Sequence, residues 1–480
     1  MRAPLWSCDD VLTACGGTIF DPTLTFKPIQ DIKIDSRSCI SGDLFVALAG
    51  GQQDGHHFLD KAAKAGAAAC LVNRPQNNLA ISQIVVSDTL MGLTSLGVAG
   101  RNRFGGKMVG ITGSVGKTGS KDMLAHVLSK FGHTHASKLS YNNHIGVPIT
   151  LSTLPADYKF AVQEMGMNST GEIATLTAMA RPDIVMITRV ANTHSSFFES
   201  MDDIAAAKAE IFQGLCKGGT AVLNLNDHYF PLFAKAAKKS GAGRIITFGQ
   251  HDEAEFSLME TLQHGTGMTV LAKIFGQKLR FEMKMRGAHW AQNALGVLAC
   301  VEALGLGVAE AATYLTTCPT PKGRGDHMSG SYQDCVITLI DDSYNASPAS
   351  MTAAFASMGA HPPNIMILSE MLELGSASAF EHDALIPQIN KLSPRLVIGL
   401  GHAMHEAIQK LDNKIIALKA IDTQVALTAF KAGVEDGDVV FIKGSLGSKA
   451  WKIRDAVLAD LTINHSVKRP LKNEGNNHVT

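Results

Sequence analysis

An α/β chain built in three blocks is what this sequence predicts. A small N-terminal α/β domain spans 1–103, a central domain with a mostly parallel sheet spans 104–317, and a C-terminal Rossmann-like α/β domain spans 318–471. The polar stretch 472–480 reads as a disordered tail. Two observations lead to this division. Short apolar runs alternate with helical stretches through the second and third blocks, as strands do when helices cover both faces of their sheet. Glycine and proline punctuate the chain at Gly105-Gly106 and at Pro319-Thr320-Pro321.

Composition bounds the function classes. The 480 residues carry no formal net charge, and no basic block precedes the tail, so nothing favours a nucleic-acid partner. The eight cysteines form no Cys-x-x-Cys pair, which suggests neither a zinc site nor a disulfide framework. No signal-peptide pattern and no apolar run of about 18 residues is present, so no membrane insertion is expected. The expectation is a cytoplasmic protein.

In the first block, Leu44 to Leu48 reads as a strand, Phe58 to Ala65 as an alanine-rich helix, and Ala69 to Val72 as a second strand. The second block opens with an apolar, β-branched strand from Lys107 to Thr112. A glycine turn follows, then a helix predicted over Lys121 to Phe131, with Met123, Leu124, Val127 and Leu128 on one stripe. Strand, turn, Gly116-Lys117-Thr118 and helix make a phosphate cradle, which makes the central block P-loop ATPase-like. Glycines let backbone N–H groups approach phosphate oxygens, and the helix N-terminus adds partial positive charge. Lys117 can reach terminal phosphates, and the Thr118 hydroxyl can hold Mg²⁺. The common pattern wants glycine where Ile111 stands; here the glycines are Gly110 and Gly113. The third block shows strands at Val336 to Ile340, Ile365 to Leu368, Leu396 to Gly399 and Val439 to Ile442.

In open parallel sheets, ligands sit beyond the carboxyl ends of strands. Lys117, Thr118, Glu164, His194, Asp341, Asp342 and Lys443 all fall where a predicted strand has just ended. This placement suggests two sheets directing their carboxyl ends to one cleft. Glu164 and His194 could bind a hard cation, although histidine nitrogen is an unusual ligand for Mg²⁺. Their plain alternatives are a helix-capping carboxylate and a surface loop histidine. Lys208 shares a helix face with Ile204, Ile211, Phe212 and Leu215, and a lysine there must snorkel, pair or be chemically altered. Asp342-Ser343-Tyr344-Asn345 can take ribose hydroxyls and a purine ring, and Arg324 can reach a phosphate with its planar fork. Asp, Asn and Ser are equally ordinary turn residues.

Taken in order, these motifs resemble the Mur ligases. Asp35-Ser36-Arg37, Gly42 to Leu48 and Asp54 to Phe58 look like that family's N-terminal, UDP-sugar-binding domain. Gly110 to Thr118 matches the family's form of the phosphate loop. The match continues through Asn142-Asn143, Glu164-Met165-Gly166, Gly171-Glu172-Ile173, Asn192 to His194, and Lys208-Ala209-Glu210. It is completed by Gly287 to Asn293, Asp341 to Pro348, Met371 to Gly375, and Lys443-Gly444-Ser445.

The resemblance implies an ATP-dependent amide ligase of cell-wall synthesis, in the branch that joins D-alanyl-D-alanine to UDP-N-acetylmuramoyl-tripeptide. It implies that Gly113, Ser114, Val115, Gly116, Lys117, Thr118 and Gly119 serve the phosphates. Asn293, Asp342, Tyr344 and Asn345 would serve the adenosine, and Arg324 a phosphate. Thr118, Glu164 and His194 would serve two Mg²⁺ ions, and Lys208 would carry a carbamate. Lys117, Glu164, His194, Lys208 and Arg324 would thus be the catalytic set. Ser36, Arg37, Asn142, Asn143 and Asn168 would bind the UDP-linked substrate, and a monomer is expected. Trp290 stands where the family often has Asn, and Leu446 where Arg often follows Lys-Gly-Ser. Ser195, Phe198-Glu199 and Ser369-Glu370 also depart from the family pattern. A sister ligase adding the third amino acid is disfavoured by Asp342 to Ala346 and by the lack of Asp-Asn-Pro-Arg. A folylpolyglutamate-type ligase or a regulatory P-loop kinase would leave the N-terminal block unexplained. Intact Lys117, Glu164, His194 and Lys208 argue against a dead homologue.

Overall fold

Buried strands set the architecture. The strand Phe160–Glu164 is buried at every position, as expected where helices cover both faces of a parallel sheet. The computed structural model describes residues 4–24, 26–50, 53–77, 79–138, 140–191, 198, 200–264, 267–358 and 362–463. Asn192, His194 and the predicted tail at 472–480 lie outside the described residues. The chain divides into two units, Met1–Pro319 and Thr320–Thr480.

Among the described residues, the first unit holds two sheets. One has five strands in the order Thr18–Ile19, Ser82–Val85, Ala69–Val72, Asp43–Val46, Asp31–Lys33, parallel except for the first. The other has nine. Its parallel part runs Arg244–Gly249, Thr220–Asn224, Ile184–Ile187, Lys107–Thr112, Phe160–Glu164, Thr134–Ala136. Beyond Arg244–Gly249 an antiparallel meander of Phe256–His264, Gly267–Ile274 and Gln277–Met283 extends the edge. The last two of these strands join through Phe275-Gly276, both with positive φ (46° and 83°), the geometry of a tight hairpin turn.

The helix Thr89–Arg103 ties the small sheet to the large one. Its Gly97 and Gly100 lie so close to the backbone of Pro148 and Leu151 that a side chain at either position would overlap it. Trp6 Nε1 donates to Ser152 O at 2.9 Å, and Arg101 Nε donates to Ala180 O at 2.6 Å. The large sheet is covered on one face by Lys117–Leu128 and Ala288–Ala303, and on the other by Glu172–Ala180 and Met201–Ala209.

Among the described residues, the second unit has one seven-stranded sheet. Ile416–Ala420, Leu396–Leu400, Ile365–Ser369, Val439–Lys443 and Cys335–Asp342 run parallel in that order. Asp326–Tyr332 and Leu461–Ile463 continue it antiparallel. The last strand follows the helix Ala450–Asp460 and lies within the predicted C-terminal domain, although no strand is predicted there. Asp341 and Asp342 are the final residues of their strand rather than loop residues after it.

Asp341 is buried, and its Oδ2 accepts from Arg454 Nη1 at 2.6 Å. Its Oδ1 accepts from Ser343 Oγ at 2.6 Å and from the Ser343 amide at 3.1 Å. Arg454→Met should leave that carboxylate buried without its cation and cost about 3–5 kcal/mol. Thermal and urea denaturation of the full chain check this; an unchanged midpoint in both would show that the pair is dispensable.

No helix among the described residues is long and apolar enough to cross a membrane.

Candidate active site

The phosphate loop emerges from the middle of the large sheet. Its strand, Lys107–Thr112, is flanked on both sides by parallel neighbours, and the loop opens into the helix Lys117–Leu128. The helix thus begins earlier than the apolar stripe suggested, because Lys117 to Ser120 are its polar first turn. Gly113 and Gly116 have φ of 149° and 86°, which other residues rarely adopt. A side chain on Gly113 would overlap Thr188 Oγ1, and that hydroxyl donates to Val115 O at 2.6 Å. The Ser114 amide donates to Arg189 O at 2.7 Å. The end of the neighbouring strand, Ile184–Ile187, therefore holds the loop in shape. Sequence reasoning missed Thr188 and Arg189, since neither carries a motif and the contact exists only once the sheet is formed.

Gly116 caps the helix without a side-chain hydrogen bond, so the first-turn N–H groups are not spent on a cap side chain. Lys117 Nζ donates to Gly113 O at 2.6 Å and Ser114 O at 3.2 Å, which holds the ammonium over the loop. Thr118 Oγ1 lies 3.1 Å from Ser140 Oγ. From the helix Ala288–Ala303, Asn293 meets Gly116: a Cβ there would sit 2.9 Å from Asn293 Nδ2. Trp290, one turn earlier, meets Gly119 in the same way.

Glu164 ends the strand beside the loop and is 1 % exposed, in register with Ile111. Its Oε1 accepts from Asn142 Nδ2 at 2.7 Å, while Oε2 is buried with no hydrogen-bond partner among the described residues. A buried carboxylate oxygen left bare is costly unless a cation takes it. A carboxylate oxygen of this kind suits a hard ion such as Mg²⁺. Asn142 is itself held by its carbonyl, which accepts from Gly166 N at 2.8 Å. Asn143 Oδ1 accepts from the Gly146 amide at 2.8 Å, so that oxygen braces the start of Gly146–Ser152. The exposed Asn168 donates its amide to Glu172 Oε2 at 2.9 Å.

Lys208 is 2 % exposed in the helix Met201–Ala209. Its stripe is shorter than predicted, because the chain tightens to a 3-10 turn over Glu210–Gly214 and Leu215 falls outside the helix. Among the described residues, its Nζ has one hydrogen-bonding contact, the Met167 thioether at 3.8 Å. Burial pushes its pKa well below the usual lysine value, and the charge of Lys117 pushes the same way. His194 lies outside the described residues, so nothing places it beside this group.

In the small sheet, Ser36 is buried in the turn Ser36–Ser38, and Arg37 is exposed and paired with Asp35 at 2.7 Å. That pairing holds the Asp35 carboxyl below the usual range.

In the second unit, Asp342 accepts from Lys443 Nζ at 2.7 Å, and the same ammonium donates to Asn345 O at 3.0 Å. Burial raises the Asp342 pKa, while Lys443 and Arg324 pull against it. The Arg324 guanidinium lies 4.4 Å from the Tyr344 ring centroid, and the Tyr344 amide donates to Gly323 O at 3.0 Å. The sequence reading gave Arg324 and Tyr344 separate parts of a nucleotide; the structure brings them into one stack. Asn345 Oδ1 accepts from the Ala346 amide at 3.0 Å. Buried His382 accepts from the Met371 amide at Nε2 (2.9 Å) and meets Ser378 O through Nδ1 (2.7 Å), which fixes the loop at Met371. Sequence reasoning did not single out His382.

Comparison with known proteins gives matches along most of the chain. Residues 28–91 match the model described as Mur ligase family, catalytic domain. Residues 111–301 match the Mur ligase middle domain, and 323–446 the Mur ligase, glutamate ligase domain. A UDP-N-acetylmuramoyl-tripeptide–D-alanyl-D-alanine ligase of Rickettsia prowazekii is 31 % identical, over 89 % of this chain and 94 % of that protein. The ligase of the same name from Synechocystis is 33 % identical over 87 % of this chain and 89 % of its own length. The crystal structure of MurF from Acinetobacter baumannii superposes with a TM-score of 0.81 at 26 % identity, covering 95 % of this chain and 99 % of that one. With the phosphate loop, the buried carboxylate beside it and matches of this extent, the chain belongs to the Mur ligase family.

Proposed function

We propose that this chain is an ATP-dependent amide ligase of peptidoglycan precursor synthesis, joining D-alanyl-D-alanine to UDP-N-acetylmuramoyl-tripeptide. The observation that carries the reading is the phosphate loop with a bare, buried Glu164 oxygen at the neighbouring strand end. The choice of branch is supported by relatives of that name at 31 % and 33 % identity.

In this reading the tripeptide's terminal carboxylate attacks the γ-phosphorus of ATP, and ADP leaves. The acyl phosphate carries a good leaving group. The free amine of D-alanyl-D-alanine adds to the acyl carbon; the nitrogen loses a proton, phosphate departs and the amide remains. Lys117 and the first-turn N–H groups of its helix neutralise charge on the transferring phosphoryl group. Gly113, Ser114, Val115, Gly116 and Gly119 shape the loop around it, and Asn293 braces Gly116. Thr118 and Glu164, with His194 and a carbamate on Lys208, are the proposed holders of Mg²⁺, which would supply further charge neutralisation. Asp342, Tyr344 and Asn345 are proposed to take the nucleoside and Arg324 a phosphate. Ser36, Arg37, Asn142, Asn143 and Asn168 are proposed to take the UDP-linked substrate. The working form is proposed to be a monomer in the cytoplasm, where ATP and UDP-linked precursors are found.

Phosphate release from ATP with purified UDP-tripeptide tests the reading. Release is expected with D-alanyl-D-alanine as acceptor, and not with D-alanine or diaminopimelate. Release with diaminopimelate and UDP-dipeptide instead would move the chain to the sister branch.

A further inference from the structure

The geometry points to Trp290 as a positioning residue for the phosphate loop: its indole fills the space of the missing side chain at Gly119 and holds the first turn of the loop's helix in place. This inference rests on the proposed ATP site. Gly119 is the third residue of the helix Lys117–Leu128, directly after Thr118. A Cβ built there would lie 2.5 Å from Trp290 Cζ3 and 2.7 Å from Cη2, closer than side-chain carbons approach ring atoms in real structures. The φ of Gly119 is an ordinary helical one, unlike that of Gly113 or Gly116, so backbone strain does not call for glycine here. The indole does.

Nor is the ring free to move aside. Trp290 is 7 % exposed and belongs to the same core cluster as Met123, Leu124 and Val127 of the loop's helix. Asn293, three residues on and therefore on the same helix face, meets Gly116. One face of Ala288–Ala303 thus braces both ends of the Gly116–Gly119 segment, which carries Lys117 and Thr118 between its glycines. An added methyl at 119 must displace either the indole or the helix start, and the helix start is what aims the N–H groups and Lys117 at a phosphate.

The test is a double-mutant cycle on the full chain, read by ADP affinity in calorimetry and by separate KM values for ATP and D-alanyl-D-alanine. Gly119→Ala alone is expected to weaken ADP binding and raise the KM for ATP about tenfold or more, with the KM for D-alanyl-D-alanine within about twofold of the parent. In a Trp290→Leu background, the same Gly119→Ala change should cost less than about twofold in ADP affinity. An equal cost in both backgrounds would overturn the inference, because the indole would then not be what excludes a side chain. A parallel rise in both KM values would also overturn it, as general destabilisation. If Gly119→Ala fails to fold, recovery of a folded, ADP-binding double variant supports the inference, and failure of the double variant sinks it. A parent protein that binds no ADP would defeat the ATP-site reading itself, a result distinct from all of these.

Discussion

Lys117→Ala is expected to lower turnover by about two to three orders of magnitude, the usual effect of removing one preorganised charge-stabilising group. The fold should survive. Lys117 Nζ donates to the Gly113 and Ser114 carbonyls, but the loop is also held by Thr188 Oγ1 on Val115 O and by the Ser114 amide on Arg189 O. Those contacts come from the neighbouring strand and remain in the variant. The loss should therefore fall on chemistry: as charge builds on the transferring phosphoryl oxygens, the half-buried ammonium answers it at close range. A phosphate can compete with the two loop carbonyls for the ammonium, because those carbonyls are neutral and a phosphate is an anion. Single-turnover phosphate release, with circular dichroism and thermal melting as fold controls, decides the matter. Near-parent turnover in a well-folded variant would remove this loop from the mechanism.

What the sequence made legible follows from where the information sits. The strand Lys107–Thr112 and the glycine turn could be read because β-branched residues, glycines and Gly-Lys-Thr are local signals. The start of the following helix could not, since Lys117 to Ser120 are polar and join no apolar stripe, though they are helical. The hairpin at Phe275-Gly276 was missed because phenylalanine is not a residue that announces positive φ. Asp341 and Asp342 were placed past their strand because charged residues read as loop; in the structure they end the strand, paired with Arg454 of the helix Ala450–Asp460 and with Lys443 of the neighbouring strand. Arg454 lies 113 residues from Asp341 in the chain, so no local pattern could join them. The same holds for Thr188 on the phosphate loop and Trp290 on Gly119. Residue types at strand ends reveal the candidate chemistry, but the groups that hold it in position are tertiary.

Lys208 is where the largest effect away from the phosphate loop is expected. The residue is 2 % exposed, and among the described residues its amine has one hydrogen-bonding contact, a thioether at 3.8 Å, which offers an ammonium little. Burial and the Lys117 charge both favour the neutral amine. A neutral amine adds to CO₂: an N–C bond forms, a proton is lost, and a carbamate anion remains. Such an anion would turn repulsion from Lys117 into attraction and would offer an oxygen to the cation proposed above. Linkage gives a second handle. A lysine with a lowered folded-state pKa binds fewer protons folded than unfolded, so stability of the unmodified protein rises with pH between the lowered value and the ordinary lysine value of about 10.4. Converting the amine to carbamate adds a route that favours the folded state, so bicarbonate should raise the Tm of the parent and not that of Lys208→Ala. Lys208→Ala should lose most activity, and short carboxylic acids should restore part of it by placing a carboxylate in the vacated space. Parent-like turnover in Lys208→Ala without added acid would end the carbamate proposal, because the site would then need neither the lysine nor its adduct.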